Sequence, residues 1–270
     1  MQQNPDYSKS EQYTLSIRLA PGGFSFYLVD PVNEGAALYE SFLLPKNQPL
    51  VNAIEEIVYK NEHLLLPYKK TELVVVSPFY TIVPAAFSNI ETGEKLLSFT
   101  HENVTGKYFV NDFRKKEMVN HFVVNADSYN FLTRTFALSK VIHYMTPMLE
   151  YFTERSRFGN YSKMYANLES DRIDLFCFHR NQLELVNSYA CQNLNDAIYY
   201  ILYSWEKLGL HQVNDELHIC GDAGLRSRMT PHLSKYIQRV LPLNPPTSWY
   251  VAPADNKPLP LDLKTLSLCV

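Results

Sequence analysis

The stretch YSKMYANLESDRIDLFCFHRNQLELVNSYA, residues 161–190, decides the fold. Arg172-Ile173-Asp174-Leu175-Phe176-Cys177-Phe178 has the length and the aromatic and branched side chains of a strand. His179-Arg180-Asn181-Gln182 follows as a turn, and Leu183 to Ala190 is the next strand. With Tyr161 to Glu169 in front, the stretch is a three-stranded meander. The same order stands near the start of the chain. Tyr13-Thr14-Leu15-Ser16-Ile17-Arg18-Leu19 alternates apolar and polar, the period-two mark of a half-buried strand. Pro21-Gly22-Gly23 turns it, Phe24 to Asp30 returns, Pro31 to Gly35 turns again, and Ala36 to Leu44 is a third strand.

Each meander leads into a helix, a strand and another helix. Pro49 opens a helix to about Leu64, with Leu50, Ile54, Ile57 and Val58 at helical spacing. Thr71 to Ser77 is an apolar run that suits a strand buried on both faces of a parallel sheet. Phe79 to Pro84 reads as a short strand, Ile90 to Thr100 as a helix, residues 103–116 as a loop, and Met118 to Asn125 as a strand. Asp127 or Ser128 caps a helical pattern that continues to about Arg155, broken near Ser139 and bent at Pro147. After a link at Arg157-Phe158-Gly159-Asn160, the second meander leads into a helix capped by Asn193 or Asn195 and stopped by Gly209. Glu216 to Cys220 is a strand, and Leu225 to Val240 a helix with Pro231 near its start. The last 30 residues are Pro-rich and poorly patterned. The helix from Asn195 to Leu208 is apolar around most of its circumference, which implies burial on more than one side, within the core or at an interface. The expected fold is α/β, with two mixed five-stranded sheets of strand order 3-2-1-4-5 flanked by helices. Residues 1–156 form one unit and 157–270 the other.

The 270 residues are 46% hydrophobic and 20% charged, with a formal net charge of −3. A chain of this length buries a core without disulfides or metal. Its basic clusters, Lys69-Lys70 and Arg114-Lys115-Lys116, are small, so no field for nucleic acid is expected. The four cysteines are scattered, unlike a secreted disulfide scaffold. Residues 1–12 carry no apolar run, and nothing approaches the roughly 20 apolar residues of a membrane span. A cytoplasmic protein is expected.

The duplicated order of meander, helix, strand and helix resembles the actin superfamily, and most closely its pilus-assembly and type II secretion branch (PilM-like and GspL-like proteins). More narrowly the chain is similar to a Bacteroidetes domain-of-unknown-function family, number 3822. The resemblance implies an actin-like, ribonuclease H-like duplicated fold. Active members of the superfamily carry two Asp-x-Gly hairpins. The Asp holds Mg²⁺, and the Gly lets the backbone approach the phosphates. Here Ser16 stands at the first Asp position and Arg18 at its Gly position. Asn167 and Glu169 hold the corresponding places in the second hairpin. A carboxylate there repels a triphosphate, and a side chain there blocks it. The third motif of the superfamily, a Gly pair after a strand that approaches adenosine, is matched by Gly221-Asp222-Ala223-Gly224. A tight strand-to-helix turn accounts for those glycines as well.

Two further groupings bear on chemistry. Cys177-x-His179 and His218-x-Cys220 each put two metal-ligand types on one strand face, but the expected sheet order sets a third strand between the pairs. Buried cysteines are the simpler account. Asp171 and Asp174 form an acid pair or a solvated hairpin rim. No Gly-x-Ser-x-Gly elbow, His-Glu-x-x-His helix or Walker loop is present. The function these residues imply is a non-catalytic, actin-like interaction or assembly module of the bacterial cytoplasm, with no cofactor and no metal. It would serve an unidentified protein partner, and a homodimer is an admissible form. The alternative is a divergent nucleotide-binding protein or weak ATPase that holds ATP with magnesium through Gly221, Asp222, Gly224, Asp171 and Asp174.

Overall fold

Strand β1 (Thr14–Ala20) turns back into β2 (Gly23–Val29), and β2 into β3 (Ala37–Leu43). In this computed structural model, residues 5–31, 36–45, 47–113, 117–136 and 140–269 are described. The turn expected after Pro31, the basic cluster Arg114-Lys115-Lys116 and the helix break near Ser139 lie outside them. Helix α1 (Leu50–Lys60) carries the chain to β4 (Lys70–Val75), which runs parallel to β1. Next come β5 (Tyr80–Pro84), α2 (Ile90–Thr100), β6 (Lys107–Phe113), β7 (Met118–Val124), α3 (Ala126–Thr135), β8 (Lys140–His143) and α4 (Met145–Ser156). The second meander is β9 (Lys163–Leu168), β10 (Arg172–His179) and β11 (Gln182–Ala190). Then follow α5 (Leu194–Lys207), β12 (Glu216–Gly221), α6 (Ala223–Leu233), β13 (Arg239–Pro242) and the short α7 (Leu261–Lys264).

Two five-stranded sheets share one plan. Their orders are β3-β2-β1-β4-β8 and β11-β10-β9-β12-β13, so each meander is extended by two parallel strands on its first-strand side. The α/β fold with two mixed five-stranded sheets is as the sequence implies. A third sheet, β5-β7-β6, is antiparallel and was not foreseen. The β10–β11 turn places Arg180 at φ 48° and Asn181 at φ 66°, the two left-handed residues that a tight hairpin needs to match strand twist.

Alternation puts Leu15, Ile17 and Leu19 on one face of β1 with Ser16 and Arg18 on the other. The larger core holds Ile17 and Phe26 of the first sheet, Tyr165 and Phe176 of the second, and Leu261 and Leu263 of the last segment. Helix α4 lies within it, and ten of its twelve residues are buried. Its Phe152 ring stands 4.5 Å from Tyr165 and 4.6 Å from Phe176. A smaller core lies behind the second sheet, where Met164, Ala166 and Leu175 meet Ile201 and Trp205 of α5 and Met229 and Leu233 of α6. Within the larger core, His143 is fully buried, hydrogen-bonded to Asn120 at 2.9 Å and to the Ser77 carbonyl at 3.0 Å. Burial pushes its pKa down to about 3, so it is neutral.

Several expected elements change. Residues 103–116 are not a loop, because β6 runs through them and pairs with β7. The long helical pattern after residue 127 is two helices with β8 between them. Asn125, rather than Asp127 or Ser128, caps α3, its Oδ1 accepting from Ser128 N at 3.0 Å. Pro147 stands third in α4, in the first turn, where its missing N–H breaks no helical bond. Helix α1 stops at Lys60, short of Leu64. Helix α6 ends at Leu233, with Pro231 near its end, and β13 occupies part of the remainder. Helix α5 is buried on one side only. It packs Ile201 and Trp205 inward and leaves Tyr199 57% and Tyr203 44% exposed, since a phenol tolerates water at its polar end.

Candidate functional site

Arg18 leaves the polar face of β1 and enters a buried cluster between the two five-stranded sheets. Its Nε donates to Asp262 Oδ2 at 2.7 Å, and its Nη2 lies 3.5 Å from Glu169 Oε1. Arg172, the first residue of β10, meets the same Glu169 oxygen at 3.5 Å through its own Nη2. One carboxylate therefore stands between two guanidinium groups. Arg172 Nε also lies 3.5 Å from Asp174 Oδ1, and its guanidinium sits 4.9 Å from the centre of the Tyr144 ring. Asp174 is 0% exposed and well supplied with donors. Ser188 Oγ reaches it at 2.6 Å, Tyr144 OH at 2.9 Å and Asn167 Nδ2 at 3.0 Å.

The cluster ties β1 of the first sheet to β9, β10 and β11 of the second, to the residue before α4, and to α7. Formally it holds two cations and three carboxylates. For Arg18, burial pulls the pKa down, but Asp262 and Glu169 outweigh it and the net shift is upward. For Glu169 the balance goes the other way. Burial raises its pKa despite the pull of Arg172 and Arg18, although 24% of its side chain reaches solvent. Such a cluster is stable only while every charge keeps its partner, because desolvation costs several kcal/mol per ion.

The sequence-derived site residues separate into groups. Arg18, Glu169, Asn167 and Asp174 come together in the cluster. Ser16 does not join them; its Oγ donates to Glu72 Oε2 at 3.4 Å, and Glu72 in turn pairs with Lys70 at 2.6 Å. Asp171 points outward, 72% exposed, so it and Asp174 are not a convergent pair. Gly221 has φ +84°, and a Cβ there would stand 2.2 Å from the Leu168 carbonyl oxygen and 2.9 Å from Asn167 Oδ1. It is the residue that lets β12 pass close to β9. Asp222 caps α6, its Oδ1 accepting from Leu225 N at 2.7 Å. Gly224 is exposed at the start of α6.

Sequence reasoning did not single out Arg172, Tyr144, Ser188 or Asp262. Arg172 shares a face of β10 with Asp174, a signal that alternation could have given. Asp262 lies 244 positions from Arg18, and no local pattern links them.

The cysteine and histidine pairs do not share a face. Cys177 stands opposite Met164, which faces α5 and α6, whereas His218 stands opposite Tyr165, which faces the larger core. Among the described residues no group of three His, Cys, Asp or Glu is arranged to hold a metal ion.

The cluster does not fit a magnesium–triphosphate group. The Arg18 side chain occupies the space between the sheets, Glu169 sets a carboxylate beside it, and the Asp174 oxygens are taken by hydroxyl and amide donors.

Comparison with known proteins agrees with this topology. A family model described as "Protein of unknown function (DUF3822)" matches residues 2–240. A Bacteroides thetaiotaomicron protein of solved structure, with an actin-like ATPase fold and unknown function, is 31% identical. The match covers 98% of this chain and 99% of that one, with a TM-score of 0.85. The PilM–PilN type IV pilus biogenesis complex provides a more distant match, 13% identical over 95% of this chain and 97% of that one, with a TM-score of 0.53. No curated protein matches. The fold is thus that of the actin-like ATPases. No helix among the described residues is long and apolar enough to cross a membrane.

Proposed function

The chain belongs to the family of proteins of unknown function DUF3822, and we propose that it is a non-catalytic, actin-like interaction module of the bacterial cytoplasm. One observation carries this reading. Arg18 and Glu169, which the resemblance to the actin superfamily sets at the two phosphate-hairpin positions, pair with each other across the cleft, and Asp262 fastens Arg18 from behind. Loss of one hairpin would weaken nucleotide binding; here the two replacements complement each other. The scaffold is kept and its cleft is held shut by its own side chains. We take residues 1–156 and 157–270 as two subdomains joined by this clasp. The last segment crosses back to the first, where the Tyr27 hydroxyl donates to the Val251 carbonyl at 2.8 Å. The same fold occurs in PilM, whose solved structure is a complex with PilN, and this accords with an assembly role.

Thermal unfolding with magnesium and ATP tests the proposal. A ligand at a hundredfold its Kd adds about 2.7 kcal/mol of stability. In a chain of this size that raises Tm by roughly 5–10 °C. No rise is expected at millimolar Mg-ATP or Mg-ADP. A saturable rise would favour a divergent nucleotide-binding protein instead.

A further inference from the structure

His121 of β7 meets a hydroxyl at each ring nitrogen. Ser88 Oγ lies 2.7 Å from Nε2, and the Tyr108 hydroxyl of β6 bonds to Nδ1. The imidazole is 1% exposed, while Ser88, in the turn that leads into α2, is half-buried. Ser88 is therefore the end of the row that solutes can reach. Gly93 of α2 makes room for the contact, since a Cβ there would stand 2.0 Å from the Tyr108 hydroxyl oxygen and 2.4 Å from Nδ1. A helical glycine costs up to about 1 kcal/mol against alanine, so α2 gives up propensity where it crosses this ring. The cross-strand partners of His121 are Thr81 and Val110, and neither carries charge. Burial holds the His121 pKa below its usual value. The ring is then neutral at pH 7, and one of its nitrogens is free to accept a proton.

A hydroxyl within reach of a neutral base, with the base oriented by a third group, is the pattern of an activated nucleophile. Tyr108 decides which nitrogen accepts. Burial, and after it the charge of Glu94 in α2, pushes the Tyr108 phenol up to about 12, so it keeps its proton at neutral pH. Glu94 draws that proton to its own side. The phenol oxygen accepts from Nδ1–H, and Nε2 accepts from Ser88. Asn89, next in the chain, caps α2 with its Oδ1 accepting from Thr92 N at 2.8 Å. The Ile90 and Glu91 amides ahead of it have no acceptor within the helix and favour developing negative charge. We infer that Ser88 is a modification site, a serine acylated directly by a small activated acyl donor such as an acyl phosphate or an aryl ester. Ser88 Oγ attacks the acyl carbon, and the new O–C bond forms as the bond to phosphate or phenolate breaks. His121 Nε2 takes the hydroxyl proton and passes it to the leaving group. One acyl group is loaded per chain and no turnover is required. The inter-sheet cluster takes no part, so the inference stands apart from the interaction-module reading.

The experiment mixes the full chain with p-nitrophenyl acetate, follows release of p-nitrophenolate and maps the acetyl group by peptide mass. A burst of one p-nitrophenolate per chain is expected, with the acetyl group on Ser88. Ser88→Ala should abolish the burst. His121→Gln, its fold checked by circular dichroism, should slow it by about a hundredfold, the low end for loss of a general base. In the parent protein the burst rate should rise with pH through the lowered His121 pKa and level off above it, whereas surface lysines acylate ever faster as pH approaches their own. Tyr108→Phe tests the tautomer. Loss of the acceptor for Nδ1–H should slow the step by at least about tenfold. A faster burst in Tyr108→Phe would show that the phenol donates to the ring and that Nε2 is not the base, and would overturn the inference. So would the absence of a burst, acetyl groups on lysines alone, or a burst that survives in Ser88→Ala or runs at the parent rate in His121→Gln.

Discussion

Arg18→Met is expected to lower folding stability by about 3–5 kcal/mol, the size of effect that follows when one partner of a buried ion pair is removed. Asp262, almost fully buried, loses a donor at 2.7 Å and keeps the N–H of Leu263 at 2.8 Å. Glu169 loses one of its two guanidinium neighbours. The double variant Arg18→Met with Asp262→Leu removes both charges together and should cost less than the single change, because well-packed apolar residues replace buried pairs at little net cost. Urea unfolding midpoints of the two variants and the parent measure this. The single change should also lower Tm by about 10 °C. If the double variant is the less stable of the two, the cluster is not held by the pairing described.

Gly221→Ala is expected to destabilise the protein by about 4 kcal/mol or more, near the upper end for single substitutions. The backbone stands at φ +84°, where a side chain is strained, and the new Cβ would come 2.2 Å from the Leu168 carbonyl oxygen and 2.6 Å from the Leu168 nitrogen. Backbone atoms inside a paired sheet cannot step aside as a side-chain tip can. Gly224→Ala is the contrast. Its Cβ would meet nothing nearer than Asp222 Oδ1 at 3.3 Å, and alanine is the better helix former by up to about 1 kcal/mol. It should leave stability unchanged or slightly raised. Chemical denaturation of the two variants separates a glycine required by the turn from one that is not. Equal effects would mean that the pair acts as a unit.

The meanders were legible because alternation and turn residues are local signals. Ser16 and Arg18 could be placed on one face of β1 for that reason. β8 and β13 could not be located, since each has four residues and neither period has room to show. β6 was missed for a different reason. Gly106 and the nearby charges suggested a loop, yet Gly106 stands at φ +144° because its missing Cβ admits the Val124 carbonyl oxygen, which a Cβ would meet at 2.3 Å. The glycine marked a close approach at the start of a strand. Helix α5 misled through composition, because Tyr199 and Tyr203 count as apolar while their hydroxyls remain in water.

The site was half legible. Arg18, Asn167 and Glu169 were legible because the resemblance to the actin superfamily points to the two hairpins in which they lie. It gave no reason to expect that two of them would pair. That pairing depends on how the sheets face each other, and on a Pro-rich last segment that brings Asp262 back across the first sheet. The three-dimensional arrangement brings Arg18 and Glu169 into one cluster with Asp262 and Arg172.

The most direct test is a crystal structure of the protein grown with magnesium and a non-hydrolysable ATP analogue. The expected map has Arg18 bonded to Asp262, Glu169 seated between Arg18 and Arg172, and no nucleotide between the sheets. An analogue bound there, with Arg18 swung away from Asp262, would contradict the account.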